Sequence, residues 1–261
     1  MEIIGFILSI LIGISLGLIG SGGSILTIPI LVYVFHVSPS DSTTYSLFVV
    51  GVSALAGSIN GAKHKLLDYK TALYFGLPSV MSVFLMRKFI VPLLPTELLT
   101  ISNFTLTTDL LIMLVFSVLM ILASFSMIQK RKMTENDSSE INHNNLIFKG
   151  VFVGLLTGFV GVGGGFLIIP ALLFTAKLPM KKAVATSLII IFFNSLIGFL
   201  GSITSTKIEW NFLLLFTAFA VIGIFIGMFL SKKIANEKLK PLFGWFVLLT
   251  GIYIIIKEVI I

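Results

Sequence analysis

The chain has 261 residues, 57% of them hydrophobic and 11% charged, with a formal net charge of +7 and no cysteine. So apolar a composition cannot present a water-facing surface as one soluble domain, and it places the protein among polytopic membrane proteins. Lys and Arg lie in short loops between apolar runs rather than in one stripe, which argues against nucleic-acid binding, and the lack of cysteine excludes disulfides, thiolate metal sites and thiol relays.

In chain order, the apolar runs cover residues 3–35, 43–60, 71–86, 107–128, 147–176, 183–203, 211–230 and 241–256. A bilayer core is spanned by about 20 helical residues, so the first and fifth runs are too long for one helix and too short for two complete ones. Glycines interrupt both, and each is expected to form two helical pieces meeting at the glycines. Glu2 and the lack of a basic leader make residues 3–18 a retained helix rather than a cleaved signal peptide. Gln129 to Asn145 (QKRKMTENDSSEINHNN) is the one sustained polar stretch and reads as a flexible linker.

The first run carries Gly13-x-x-x-Gly17-x-x-Gly20-x-Gly22-Gly23 with Pro29 behind it. The fifth carries Gly154-x-x-x-Gly158-x-x-Gly161-x-Gly163-Gly164 with Pro170 behind it, at a constant offset of 141. The equivalence continues through Ser46-Leu47 and Ser187-Leu188, Gly57 and Gly198, and Asp68-Tyr69 and Glu209-Trp210. Paired Gly/Pro-interrupted segments in the two halves of a transporter point to its binding site. The expected fold is therefore an all-α integral membrane protein of two repeats, each a Gly-rich broken helix or hairpin followed by three transmembrane helices. Residues 1–128 form the first repeat, 129–146 a polar cytoplasmic linker and 147–261 the second.

Loop charges bear on the relation between the repeats. If each broken run crosses the membrane once, the eighteen Lys and Arg divide nine against nine. If each run returns to its starting side, they divide fourteen against four, with only Arg87, Lys88, Lys207 and Lys257 in the minority. The positive-inside rule favours the second arrangement. It makes the repeats inverted, puts both termini and the 87–106 loop outside, and puts the 61–70, 129–149, 177–182 and 231–240 loops in the cytoplasm.

A half-helix that begins inside the membrane offers N–H groups without intrahelical partners and a partial positive charge, and an anion is its natural occupant. Gly13, Gly17, Gly154 and Gly158 form small-x-x-x-small patterns and are read as helix-packing positions. The denser clusters Gly20, Gly22, Gly23 and Gly161, Gly163, Gly164 are read as ligand-contacting. Candidate polar partners are Ser21, Ser24, Thr44 and Ser46 in the first half, and Thr186, Ser187 and Asn194 with the backbone at Gly165 in the second. These hydroxyls and the amide can donate to anion oxygens without a buried charge. Each Ser and Thr has the equally ordinary option of bonding back to its own helix.

The pairing of GLIGSGGSILTIP (17–29) with GFVGVGGGFLIIP (158–170), each followed by a Ser/Thr-bearing helix (TTYSL at 43–47, ATSL at 185–188), resembles the TauE/SafE family of membrane permeases. The likeness covers essentially the whole chain. It implies transport of sulfite, organosulfonates or related small organic anions. The first copy departs from the second at Ser21, Ser24 and Thr43, where the second has Val162, Gly165 and Val184, which argues against a strictly symmetric site.

The acidic residues fall in loops or near segment ends, Asp109 being the nearest to an exception, so no mid-membrane carboxylate is expected as a proton relay or cation site. His36, His64 and His143 are isolated, without metal-ligand spacing, and Gly20-Ser21-Gly22-Gly23 lacks the Lys-Ser/Thr of a phosphate loop. Neither a cofactor nor a metal is expected. The reading is a multi-pass cell-membrane permease, not an enzyme, that moves a small anion by alternating access around a site near the midplane and without a fixed charge. The partners are that anion and lipid, with room for a homo-oligomer. An anion channel, or an integral-membrane enzyme, is the alternative.

Overall fold

The structure, a computed structural model, describes residues 2–20, 23–101, 104–128, 143–231 and 236–260. Within them the apolar runs become ten α-helices. These are α1 (Glu2–Ile19), α2 (Gly23–Tyr33), α3 (Pro39–Lys63), α4 (Tyr69–Leu85), α5 (Thr108–Ile128), α6 (His143–Val160), α7 (Gly165–Thr175), α8 (Met180–Ser202), α9 (Trp210–Ser231) and α10 (Asn236–Ile260). Among the described residues, five helices are long and apolar enough to cross a membrane. Large apolar side chains such as Leu77, Met81, Phe225, Phe229 and Leu249 point outward from the bundle. Most of the expected linker, residues 129–142, lies outside the described residues, and residues 143–146 already belong to α6.

Both glycine-broken runs double back. Phe35, just past α2, stacks edge-on against Phe6 near the start of α1, with ring centroids 5.7 Å apart. Gly23, at the start of α2, lies against Ile12 and Leu16 in the middle of α1. In the second run Lys149, early in α6, donates to the Thr175 hydroxyl at the end of α7 at 2.8 Å. With eleven residues each, α2 and α7 are about 16 Å long, roughly half a bilayer core. Each run thus doubles back as a helical hairpin, and the tip of the second, Gly161 to Gly164, lies buried inside the bundle. Tyr33, at the end of α2, donates to Glu258 near the end of α10 at 2.8 Å, so the two chain ends lie at the same end of the molecule.

Packing between the halves pairs equivalent elements. α1 lies along α9, and its counterpart α6 lies along α4. The contacts advance in step, Gly13 with Ala220 and Gly17 with Gly227 and Met228, then Gly154 with Ser79 and Gly158 with Val83 and Met86, so both pairs run parallel. A Cβ on Gly13 would collide with the Ala220 carbonyl oxygen, and one on Gly154 with that of Ser79. The small-residue patterns therefore serve close backbone approach. By contrast α3 runs antiparallel to α8, Gly51 meeting Ser195 and Gly61 meeting Ala185, and α5 runs antiparallel to α10, Gly251 meeting Ser117 and Gly244 meeting Met127.

Two hydrogen bonds repeat at the same offset. The Asp68 N–H donates to Thr186 Oγ1 at 3.0 Å, and the Glu209 N–H donates to Tyr45 Oη at 2.9 Å. Asp68 also caps α4, accepting from the Thr71 N–H at 2.8 Å, as an N-terminal acid should.

The 87–106 segment is not the plain loop that its charges implied. α4 continues through a π-helical turn (Met86–Ile90) and a short 3₁₀ turn (Val91–Leu93), and an antiparallel hairpin of β1 (Glu97–Ile101) and β2 (Phe104–Thr107) follows. Arg87, counted above as a loop charge, is 1% exposed. A π-turn adds a residue to the helical circuit, and here it accompanies the inward turn of this side chain.

Candidate functional site

The tip of the second hairpin is built from Gly161, Val162, Gly163 and Gly164, between the end of α6 and the start of α7. Gly161, Gly163 and Gly164 have φ of +76°, +66° and +82°. L side chains avoid that left-handed region and glycine adopts it freely, so this reversal requires these glycines. Gly164 is the N-cap of α7, and no side chain caps the helix. The first N–H groups of α7 therefore begin inside the bundle without intrahelical partners. Gly163 faces Val50, Ile191 and Ser195, at the midpoints of α3 and α8. Gly161 faces Thr43, near the start of α3, and Arg87.

Arg87 is fully buried. Its Nη1 donates to Thr43 Oγ1 at 2.8 Å, and the Thr43 hydroxyl donates in turn to the Ser40 carbonyl at 2.6 Å. The Ser40 N–H donates to Asp109 Oδ1 at 3.0 Å, and its hydroxyl bonds the same oxygen. Thus the first turns of α3 and α5 hold the guanidinium in place. Its Nε and Nη2 have no hydrogen-bond partner, and Nη2 lies against Gly161. A buried cation without a partner costs several kcal/mol, so this arrangement requires an explanation that packing alone does not supply. Further buried atoms without partners are Ser46 Oγ, Ser53 Oγ, Asn194 Oδ1 and Ser195 Oγ. Ser195 Oγ lies against Gly163, and Ser46 falls on the face of α3 between Thr43 and Val50, by helical spacing.

The other sequence-predicted residues divide. Thr186 is occupied by the Asp68 N–H at 3.0 Å, Thr44 pairs with Thr206 at 3.3 Å, and Ser187 bonds back to the Val184 carbonyl at 2.8 Å. These three hold the scaffold. The Asn194 amide, which a mid-segment position required to find a partner, donates to Ser79 Oγ at 2.8 Å and keeps its oxygen unpaired. Gly165 and Ser24 are buried in the first turns of α7 and α2, and Gly23 packs on α1. Gly20 has φ +79° and faces Val184. Ser21 and Gly22 lie outside the described residues.

Sequence reasoning did not place Arg87, Thr43 and Ser195 at this hairpin tip, and with Arg87 it did not foresee a buried cationic side chain there. One signal was present. Arg87 is one of only two arginines, the other cations all being lysines, and arginine is favoured for buried oxyanion pairing where lysine suffices for topology. The residues equivalent to these by the offset of 141 are apolar: Val184 stands for Thr43, Met228 for Arg87 and Ala54 for Ser195.

A family model described as "Sulfite exporter TauE/SafE" matches residues 5–254. A probable membrane transporter protein of Xylella fastidiosa is 29% identical over 94% of this chain and 91% of its own length. The probable membrane transporter protein YunE of Bacillus subtilis is 24% identical over 97% and 98%, and a probable membrane transporter protein of Methanocaldococcus jannaschii is 27% identical over 92% and 86%. No solved structure matches the chain.

Proposed function

Because the chain belongs to the TauE/SafE family of membrane transporters, we propose that it is a permease that moves a small anion, such as sulfite, an organosulfonate or a related organic anion, across the cell membrane by alternating access. The observation that carries the sign of the solute is electrostatic. Among the described residues, the one buried charged side chain is a cation, Arg87, and it sits at the tip of a half-helix whose N-terminus adds partial positive charge. A cation would be repelled from this tip, and an anion would gain from Arg87, Ser46, Ser195 and the N–H groups that follow Gly164.

The reading includes two inverted repeats. The antiparallel pairing of α3 with α8 and of α5 with α10, the doubling back of both broken runs, and the repeat of the hydrogen bonds Asp68–Thr186 and Glu209–Tyr45 support that relation. Rocking one repeat against the other would open the tips to alternate sides. With both termini outside, as the loop charges favour, the Arg87 end of α4 faces outward, and lipid covers the outward apolar faces.

Counterflow in proteoliposomes tests the carrier reading. Internal unlabelled sulfite or sulfonate should accelerate saturable entry of the labelled anion, and conductive, non-saturable flux without exchange would replace the carrier by a channel.

A further inference from the structure

We propose that the chain holds one oxyanion site, at the second glycine break only, formed by the Nε–Nη2 edge of Arg87 beside Gly161; this rests on the anion-permease reading. A guanidinium is planar, and Nε–H and one N–H of Nη2 point in parallel from the same edge, a fork that matches two oxygens of one carboxylate, sulfonate or phosphate group. In this molecule the other nitrogen, Nη1, is committed to Thr43 at 2.8 Å, and Nε and Nη2 are the two left without partners. The free donors are therefore a bidentate pair and not a scattered remainder. A halide draws both N–H bonds toward one centre, and an oxyanion meets each of the two parallel N–H groups with its own oxygen.

Gly161, against which Nη2 sits, faces Thr43 near the start of α3, and Gly163, against which Ser195 Oγ sits, faces Val50, seven residues and about 10 Å further along that helix. The Arg87 edge is therefore the donor pair at Gly161, and the Ser195 hydroxyl lies deeper along the same tip. At neither glycine is there room for a Cβ, because it would occupy the place of Arg87 Nη2 or of Ser195 Oγ. Arg87 is 1% exposed, and its Nη2 lies against Gly161 in the turn that leads into α7.

At the first break the described counterparts of Thr43, Arg87 and Ser195 are apolar. Gly20, equivalent to Gly161, turns at φ +79° as its counterpart does, but it meets Val184 where Gly161 meets Thr43. The positions equivalent to Arg87 and Ser195 hold Met228 and Ala54. The two breaks therefore differ in charge at these equivalent positions, and the anion has one resting place per chain.

The test is binding to the purified full-length chain, with methanesulfonate, acetate, inorganic phosphate and chloride as probes. By calorimetry, at least one of the three oxyanions should bind with a stoichiometry of one per chain and more tightly than chloride. Arg87→Lys, which keeps the charge and loses the fork, should weaken that oxyanion 10-fold or more while chloride changes little. Should the Arg87 variants fail to fold, phenylglyoxal modification of Arg87 in the wild-type chain, read by mass spectrometry, should slow when the bound oxyanion saturates. Oxyanion binding that Arg87→Lys leaves unchanged, absence of protection, two sites per chain, or binding of chloride alone would each overturn the proposal while leaving an anion permease in place. A wild-type chain that binds none of the four probes and moves no anion would overturn both.

Discussion

Gly163→Ala measures how tightly the second hairpin tip is seated. The residue sits at φ +66°, where an alanine costs about 1–2 kcal/mol of backbone strain. Its Cβ would overlap Ser195 Oγ and lie 3.0 Å from Val50 Cγ1, and forcing a methyl into a filled interior costs about 1–3 kcal/mol more. The single variant should therefore lose about 2–5 kcal/mol. Because the worst overlap is with the hydroxyl alone, adding Ser195→Ala should recover the overlap and leave the strain, a favourable coupling of about 1–3 kcal/mol in a double-mutant cycle. The assay is thermal unfolding of the four proteins in one detergent, with reconstituted anion uptake measured in parallel. Additive losses, with the double variant no more stable than the sum predicts, would show that the tip does not rest on Ser195.

Single cysteines in this cysteine-free chain test the orientation: in intact cells Glu97 and Lys257 positions should react with an impermeant thiol reagent and Lys65 and Lys177 positions should not, and the reverse pattern would contradict the assigned sidedness. Gly13→Ala should reduce accumulation of folded protein, because its Cβ would meet the Ala220 carbonyl and lie 2.7 Å from the Ile224 nitrogen; normal accumulation would show that α1 and α9 pack less closely. Asp109→Asn removes the charge from the acceptor of two Ser40 hydrogen bonds and should lower stability by about 1.5–3 kcal/mol, read as a fall in melting temperature. Asn194→Ala should leave Ser79 Oγ without its donor and cost about 1–3 kcal/mol, and an unchanged melting temperature would show that the amide contributes nothing to the α4–α8 contact.

What the sequence made legible was whatever repeats. The offset of 141 identified the two glycine-broken runs before any contact was known, and the same offset matches Gly13 on Ala220 to Gly154 on Ser79 in the structure. The packing role of those spaced glycines was also readable, because close approach of backbones needs small residues at helical spacing. The glycine turn of the second break was legible in the sequence, and the side chains packed against it were not. Arg87 follows an apolar run and precedes Lys88, so by composition it looks like a topology charge; only the π-turn after Leu85 shows it turned inward. Thr186 and Tyr45 are repeat equivalents that accept the same kind of backbone bond, a scaffold role hidden by their unlike chemistry. The β1–β2 hairpin was likewise missed, because alternation over four or five residues is short against the long apolar runs around it.

The most direct test of the central claim is uptake by the purified chain in proteoliposomes, with radiolabelled sulfite, a sulfonate and a small carboxylate set against a monovalent and a divalent metal cation. The account predicts saturable uptake of at least one anion, competition among anions, and no specific movement of either cation. Specific, saturable transport of a metal cation with every anion inert would contradict it.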